Sequence, residues 1–64
     1  MRNALETKEL KTYVENFGWV TVYYRGPEGR EKPIVFKVAG DLIDAQLASY
    51  TLKLAALDAI EEFA

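Results

Sequence analysis

Three features of this 64-residue sequence predict a small α+β domain with two layers. Residues 19–25 and 33–39 are rich in β-branched and aromatic side chains, and the turn-forming Gly26-Pro27-Glu28-Gly29 separates them, which predicts a β-hairpin. Residues 41–64 carry apolar residues at helical spacing, and residues 4–15 do so more weakly. The predicted order is therefore helix, hairpin with room for a third short strand, and long C-terminal helix, in one domain over residues 1–64.

The pattern of the N-terminal segment, residues 4–18, fits two kinds of secondary structure. Asn3 and Glu6 have the spacing of a capping box, which favours a helix from about Ala4 to Glu15 that ends near Gly18. Apolar residues follow the capping box at helical spacing: Leu10, Tyr13, Val14 and Phe17. A strand is the alternative, because residues 10, 12 and 14 also alternate with their neighbours and residues 15–18 can form a hairpin turn. The helix is the prediction, with the strand left open.

Alternation along the predicted hairpin separates two faces. One face is the expected core surface: Val20, Val22, Tyr24, Ile34, Phe36 and Val38. The other face is aromatic and basic: Trp19, Thr21, Tyr23, Arg25, Val35 and Lys37. An aromatic sheet face of this kind is usually covered by another element or by a partner, so it is a candidate contact surface.

The final helix is predicted to be apolar on two opposite sides, and its N-terminal cap is Asp41, Asp44 or Ser49. The large-residue stripe consists of Ile43, Leu47, Tyr50, Leu54 and Leu57. The alanine side consists of Ala45, Ala48, Leu52, Ala55, Ala56, Ala59 and Phe63. We expect the sheet to take the large-residue stripe. The alanine side is then left for the N-terminal helix, which is the favoured arrangement, or for a second copy of the chain.

Composition argues against catalysis and against bound cofactors. The chain has no histidine and no cysteine, so it lacks the commonest general base, metal ligand and thiol nucleophile. Asp44, Thr51, Asp58 and Glu62 fall on one flank of the predicted helix, which is expected to be a solvated helix flank. Residues seven apart on it lie two turns, about 10 Å, from each other, which is too far for two carboxylates to share one ion without further ligands. Neither a signal peptide nor a membrane span is apparent, and a cytoplasmic protein is expected.

Several positions resemble the double-stranded RNA-binding domain family, in which a helix, three strands and a second helix follow one another over about this length. The residues that carry the resemblance are Tyr24, Gly26-Pro27, Phe36, Val38, Gly40 and Ala55-Ala56-x-x-Ala59-Ile60. The family's paired lysines at the start of its last helix are replaced here by the neighbourhood of Ala48 and Ser49. The resemblance therefore implies a fold rather than RNA binding.

Three functional hypotheses follow. The first is a non-enzymatic module that forms a homodimer, because a chain this short gains from further burial. Its candidate interface residues are Trp19, Tyr23, Val35, Leu52, Ala56 and Phe63. The second is nucleic-acid binding by the basic hairpin, through Arg25, Arg30, Lys32 and Lys37. The third is an inhibitor of a basic host protein, which uses the acidic flank of Asp44, Asp58, Glu61 and Glu62.

Overall fold

Four antiparallel strands and one α-helix make up the domain in the computed structural model, which describes residues 7–27 and 29–63. The strands form one sheet in the order β1-β2-β3-β4 and the helix packs on one face of it, which confirms the predicted two-layer α+β class. The elements are β1 (Lys8–Val14), β2 (Gly18–Arg25), β3 (Lys32–Val38), β4 (Asp41–Asp44), a short 3₁₀ helix (Ala45–Leu47) and α1 (Tyr50–Phe63).

The predicted N-terminal helix is wrong over residues 8–14, where the chain forms strand β1. Leu10 and Val14 are both buried, and a spacing of four fits a helix turn as well as a strand face, so the two patterns coincide. Tyr13 and Phe17, which extended the helical pattern, are exposed. Pairing with β2 satisfies the backbone of this segment, which decides in favour of the strand. The proposed capping box and the start at Ala4 lie outside the described residues.

The register of the sheet places the core under α1. Leu10, Val22 and Phe36 lie side by side across the first three strands, and Ile43 of β4 extends the row. The sheet, the 3₁₀ helix and α1 together supply the buried apolar side chains: Leu10, Val14, Val20, Val22, Tyr24, Phe36, Ala45, Leu52, Ala56, Ala59 and Ile60.

Ile34 does not belong to this core, contrary to the prediction from alternation. Tyr23 pairs with Val35 and Tyr24 pairs with Pro33, so Ile34 is the extra residue of a β-bulge. Its side chain is exposed. A single inserted residue shifts the alternation, and sequence spacing alone does not reveal the insertion.

The segment after β3 turns back into the sheet instead of entering the helix at Asp41. Ala39 and Gly40 both have positive φ, of 52° and 87°, which is the pattern of a two-residue type I′ hairpin turn. The N–H of Gln46 donates to the Asp44 side chain at 2.8 Å, which caps the 3₁₀ helix. The N–H of Leu52 donates to Ser49 Oγ at 3.3 Å, so Ser49 is the cap of α1 among the three predicted positions.

The helix turns its alanine side toward the sheet, which reverses the prediction for its two stripes. Leu52 and Ala56 are only 2% and 1% exposed, whereas Leu54 and Leu57 of the large-residue stripe are 43% and 44% exposed. The alanine side packs on β1 and β3, not on an N-terminal helix. The predicted end of the helix at Ala64 lies outside the described residues.

One carboxylate, that of Glu31, is buried next to the sheet. Its Oε1 accepts the N–H of Gly29 at 3.0 Å, and its Oε2 lies 3.5 Å from Lys8 Nζ. The Glu31 backbone N–H, the Gly29 N–H and Lys8 together lower the pKa of this carboxyl, although desolvation acts in the opposite direction. The contact ties the loop between β2 and β3 to the edge strand β1.

Candidate interaction surface on the open sheet face

The sheet face opposite α1 is the strongest candidate site, and we call it the open face. Trp19 lies on it with 69% of its surface exposed, and Tyr23 and Val35 lie on it partly buried. Within residues 7–27 and 29–63, no helix or strand covers this face. The aromatic surface expected from the hairpin is therefore accessible in the described part of the chain.

The register arranges the open face in four rows that run across the strands. The acidic row contains Glu9, Tyr23, Val35 and Asp44. The basic row contains Lys11, Thr21, Lys37 and Leu42. The aromatic row, beyond the basic row, contains Tyr13 and Trp19. The outer basic row, beyond the acidic row, contains Arg25 and Lys32. Positive and negative rows thus alternate along the strand direction.

Two features give the open face a defined apolar surface. The rings of Tyr13 and Trp19 meet edge to face, with centroids 5.6 Å apart and an interplanar angle of 77°, so each restricts the other. Elsewhere on this face, an open depression of about 520 Å³ has a largely apolar lining. It is lined by Thr7, Tyr23, Ile34, Val35, Lys37, Gly40 and Leu42.

Three of the predicted interface residues are not on this face. Leu52 and Ala56 are buried against the chain's own sheet, so they are not available to a partner, and this part of the prediction is wrong. Phe63 is exposed in the last turn of α1. The alanine side was expected to be free of the sheet because the large-residue stripe of the same helix was predicted to pack there.

The open face also contains residues that were not predicted on it from the sequence. Tyr13 and Lys11 belong to β1, and Leu42 belongs to β4. Each lies in a segment predicted to be helical. The available signal was the alternation of residues 10–14 and the Ala39-Gly40 turn, which together indicate two more strands.

The basic and acidic candidates are distributed over separate regions. Arg25, Lys32 and Lys37 are exposed on strands, and Arg30 is exposed in the loop between β2 and β3. Asp58, Glu61 and Glu62 line a shallow depression on α1. Asp44 was predicted on the same helix flank, but it ends β4 and lies in the acidic row of the sheet.

The open face presents aromatic rings, aliphatic side chains and exposed charges. Among the described residues, no group of three histidine, cysteine or carboxylate side chains is placed to hold a metal ion. No described helix is long and apolar enough to cross a membrane. Comparisons with family models, curated proteins and solved structures find no significant match to this chain. The resemblance to double-stranded RNA-binding domains therefore stays a prediction.

Proposed function

We propose that this chain is a small non-enzymatic interaction module that forms a homodimer through the open face. One observation carries the proposal: an edge-to-face pair of Tyr13 and Trp19, together with Tyr23, Val35 and Leu42, lies on a sheet face that the described residues leave uncovered. Apolar side chains gathered on one uncovered face of a small protein mark association. Aromatic side chains in the centre of an interface contribute most of its binding energy.

The size of the domain supports the same proposal. A chain of 64 residues buries only about 60% of the surface that its unfolded form exposes, so additional burial is worth more to it than to a larger domain. The chain has no cysteine, so no disulfide replaces the missing burial, and a reducing cytoplasmic location is part of the proposal. Association through the open face gives the required burial without rearranging the core.

The area available sets the expected strength. Four strands about 4.8 Å apart and four to eight residues long cover a flat footprint of roughly 400 Å² on each partner. Specific interfaces bury about 800 Å² on each partner. The open face is therefore small for an interface, even though projecting side chains add to its flat area. Interfaces this small are typical of weak, transient complexes, so we expect a dissociation constant in the micromolar range.

The test is sedimentation equilibrium from micromolar to millimolar concentration, with two matched variants. Trp19→Ser removes an exposed aromatic ring from the open face, and Tyr50→Ser removes a 74% exposed ring from the outer side of the helix. We expect Trp19→Ser to raise the dissociation constant at least tenfold and Tyr50→Ser to leave it unchanged. A folded wild-type monomer at millimolar concentration would contradict the proposal, as would dissociation by Tyr50→Ser alone.

Iodide quenching of the single tryptophan gives an independent measurement. Trp19 should be quenched at concentrations where the chain is monomeric and protected as the dimer forms. Protection of Trp19 in a proven monomer would mean that another part of the same chain covers the face, and the proposal would fail.

Nucleic-acid binding is a second candidate, and the basic row favours it. Lys11 and Lys37 flank Thr21 and lie next to the aromatic row, an arrangement that suits stacking of bases with charge from phosphates. Against it stand the net charge of −2 and the carboxylates of Glu9 and Asp44 on the same face. Steep loss of single-stranded RNA or DNA binding with added salt would support it, and no binding at low salt would exclude it.

The acidic-inhibitor hypothesis retains a smaller surface than the sequence predicted. Asp58, Glu61 and Glu62 remain together on α1, but Asp44 is on the open face. Three exposed carboxylates are also common on a helix end that faces only water. Among the described residues, the depression that they line includes no apolar residue that a partner could contact. A basic partner retained by the wild type and lost in Glu61→Lys would support this alternative.

A further inference from the structure

The alternating charges of the open face determine how two copies can meet, and this inference rests on the proposed self-association. A symmetric dimer uses the same face on both copies, related by a two-fold axis in the plane between the sheets. The axis can run along the strands or across them. The two cases bring different rows together, so the charges distinguish them.

An axis along the strands places each row on itself. With the axis between β2 and β3, Glu9 then faces the partner's Asp44, and Lys11 lies one strand spacing from the partner's Lys37. Arg25 of the outer basic row faces the partner's Lys32. Every charged row meets its own sign across sheets about 10 Å apart. Like charges facing one another in an interface disfavour association, so this arrangement is opposed by all three charged rows.

An axis across the strands, between the acidic and basic rows, reverses the order of rows on the second copy. Lys11 then faces the partner's Glu9, and Lys37 lies one strand spacing from the partner's Asp44. Trp19 of the aromatic row faces the partner's Arg25, where the cation and the indole ring attract. Opposite charges meet and the apolar residues of the acidic row lie next to the axis.

We propose that the occupant of the open face is a second copy of this chain, related by a two-fold axis across the strands that pairs Lys11 with the partner's Glu9. The sheets pack with their strands aligned within about 30°, as twisted sheets do. Each dimer contains the Lys11–Glu9 pair twice, once on each side of the two-fold axis.

The test uses charge reversals at two exposed positions of β1. Glu9→Lys and Lys11→Glu each place like charges opposite one another twice in the proposed dimer, so each alone should raise the dissociation constant at least tenfold. An equimolar mixture of the two variants should form a heterodimer as tight as the wild type. The double variant Glu9→Lys with Lys11→Glu restores both pairs and should form a homodimer. Glu61→Lys, an equal change of charge on α1, is the control and should have no effect.

Three outcomes would overturn the inference, and circular dichroism of each variant confirms that it is folded. Tighter homodimers of both single variants would show the axis along the strands, because Glu9→Lys would then face the partner's Asp44 and Lys11→Glu would lie one strand spacing from the partner's Lys37. Unchanged association of the single variants, with dissociation by Trp19→Ser, would show another register on the same face and leave the proposed function intact. Dissociation by Tyr50→Ser but not by Trp19→Ser would contradict both proposals.

Discussion

The two sides of α1 are both apolar, yet the structure treats them in opposite ways. The side with small residues, Ala56 and Ala59, packs on the sheet, while Leu54 and Leu57 face outward. The sheet presents bulky side chains such as Phe36 and Tyr24, so the alanines of the inner side let the two layers approach each other. The choice of inner side thus depends on the volume of the opposing surface, and not only on hydrophobicity.

The largest expected effect comes from placing a charge on the inner side. Ala56→Arg inserts a long cation at a 1% exposed position with no partner, and an unpaired buried charge costs about 3–5 kcal/mol or more. Because small domains have only about 5–15 kcal/mol of stability, we expect the variant to unfold. Thermal melting followed by circular dichroism measures this.

Leu57→Arg, one residue further on the outer side, is the control and should melt close to the wild type. A folded Ala56→Arg that has merely lost its dimer would show that the alanine side is an interface after all. That result would contradict the observed helix orientation.

Truncation of two leucines that are two residues apart gives the next largest effect. Leu52→Ala should lower the free energy of unfolding by about 2–5 kcal/mol, because the residue is fully buried and leaves a cavity. Leu54→Ala should cost less than about 1 kcal/mol in a monomer, because much of its surface is already in water. Urea denaturation at low protein concentration tests the pair, and equal losses would contradict the assignment of the two sides.

The start of the helix carries a smaller effect. Ser49→Ala removes the oxygen that accepts the N–H of Leu52 and should cost about 1 kcal/mol. Ser49→Asp retains an acceptor and should be near neutral, and Thr51→Ala removes a nearby exposed hydroxyl as a control. The urea midpoint should fall for Ser49→Ala alone. Alanine has a higher helix propensity than threonine, so an equal fall for Thr51→Ala would show that the effect of Ser49→Ala is not specific to the cap.

The smallest effect on stability is expected at Glu31, whose buried carboxylate already has the Gly29 N–H and Lys8 as partners. The folded-state pKa of Glu31 lies below its ordinary value of 4.5, so the carboxylate contributes stability above that value and loses it as the pH falls through the folded pKa. Glu31→Gln keeps an acceptor for the Gly29 N–H but lacks the charge beside Lys8. Its melting temperature should be lower than that of the wild type at pH 7, with the difference shrinking in acid. A difference independent of pH would show that the charge is not involved.

Local patterns in the sequence determined the hairpin, the cap and the class of fold. Val20, Val22 and Phe36 alternate with Trp19, Thr21 and Tyr23, and two faces result wherever such strands pair. The prediction of Trp19, Tyr23 and Val35 on one surface needed only this alternation. Ser49 was among the predicted caps because its side chain acts on a backbone N–H three residues away.

Tertiary pairing decided what local patterns left ambiguous. Leu10 and Val14 satisfy both a helix and a strand, and the edge of β2 selects the strand because its backbone groups need partners. The same pairing brings Lys11 and Tyr13 onto the open face and so creates the rows on which the dimer proposal depends. The helix orientation also depends on distant residues, since the alanine side is preferred only against the bulky side chains of a four-stranded sheet. Complementary volume and long-range hydrogen bonding act between segments far apart in the chain, and no local spacing encodes them.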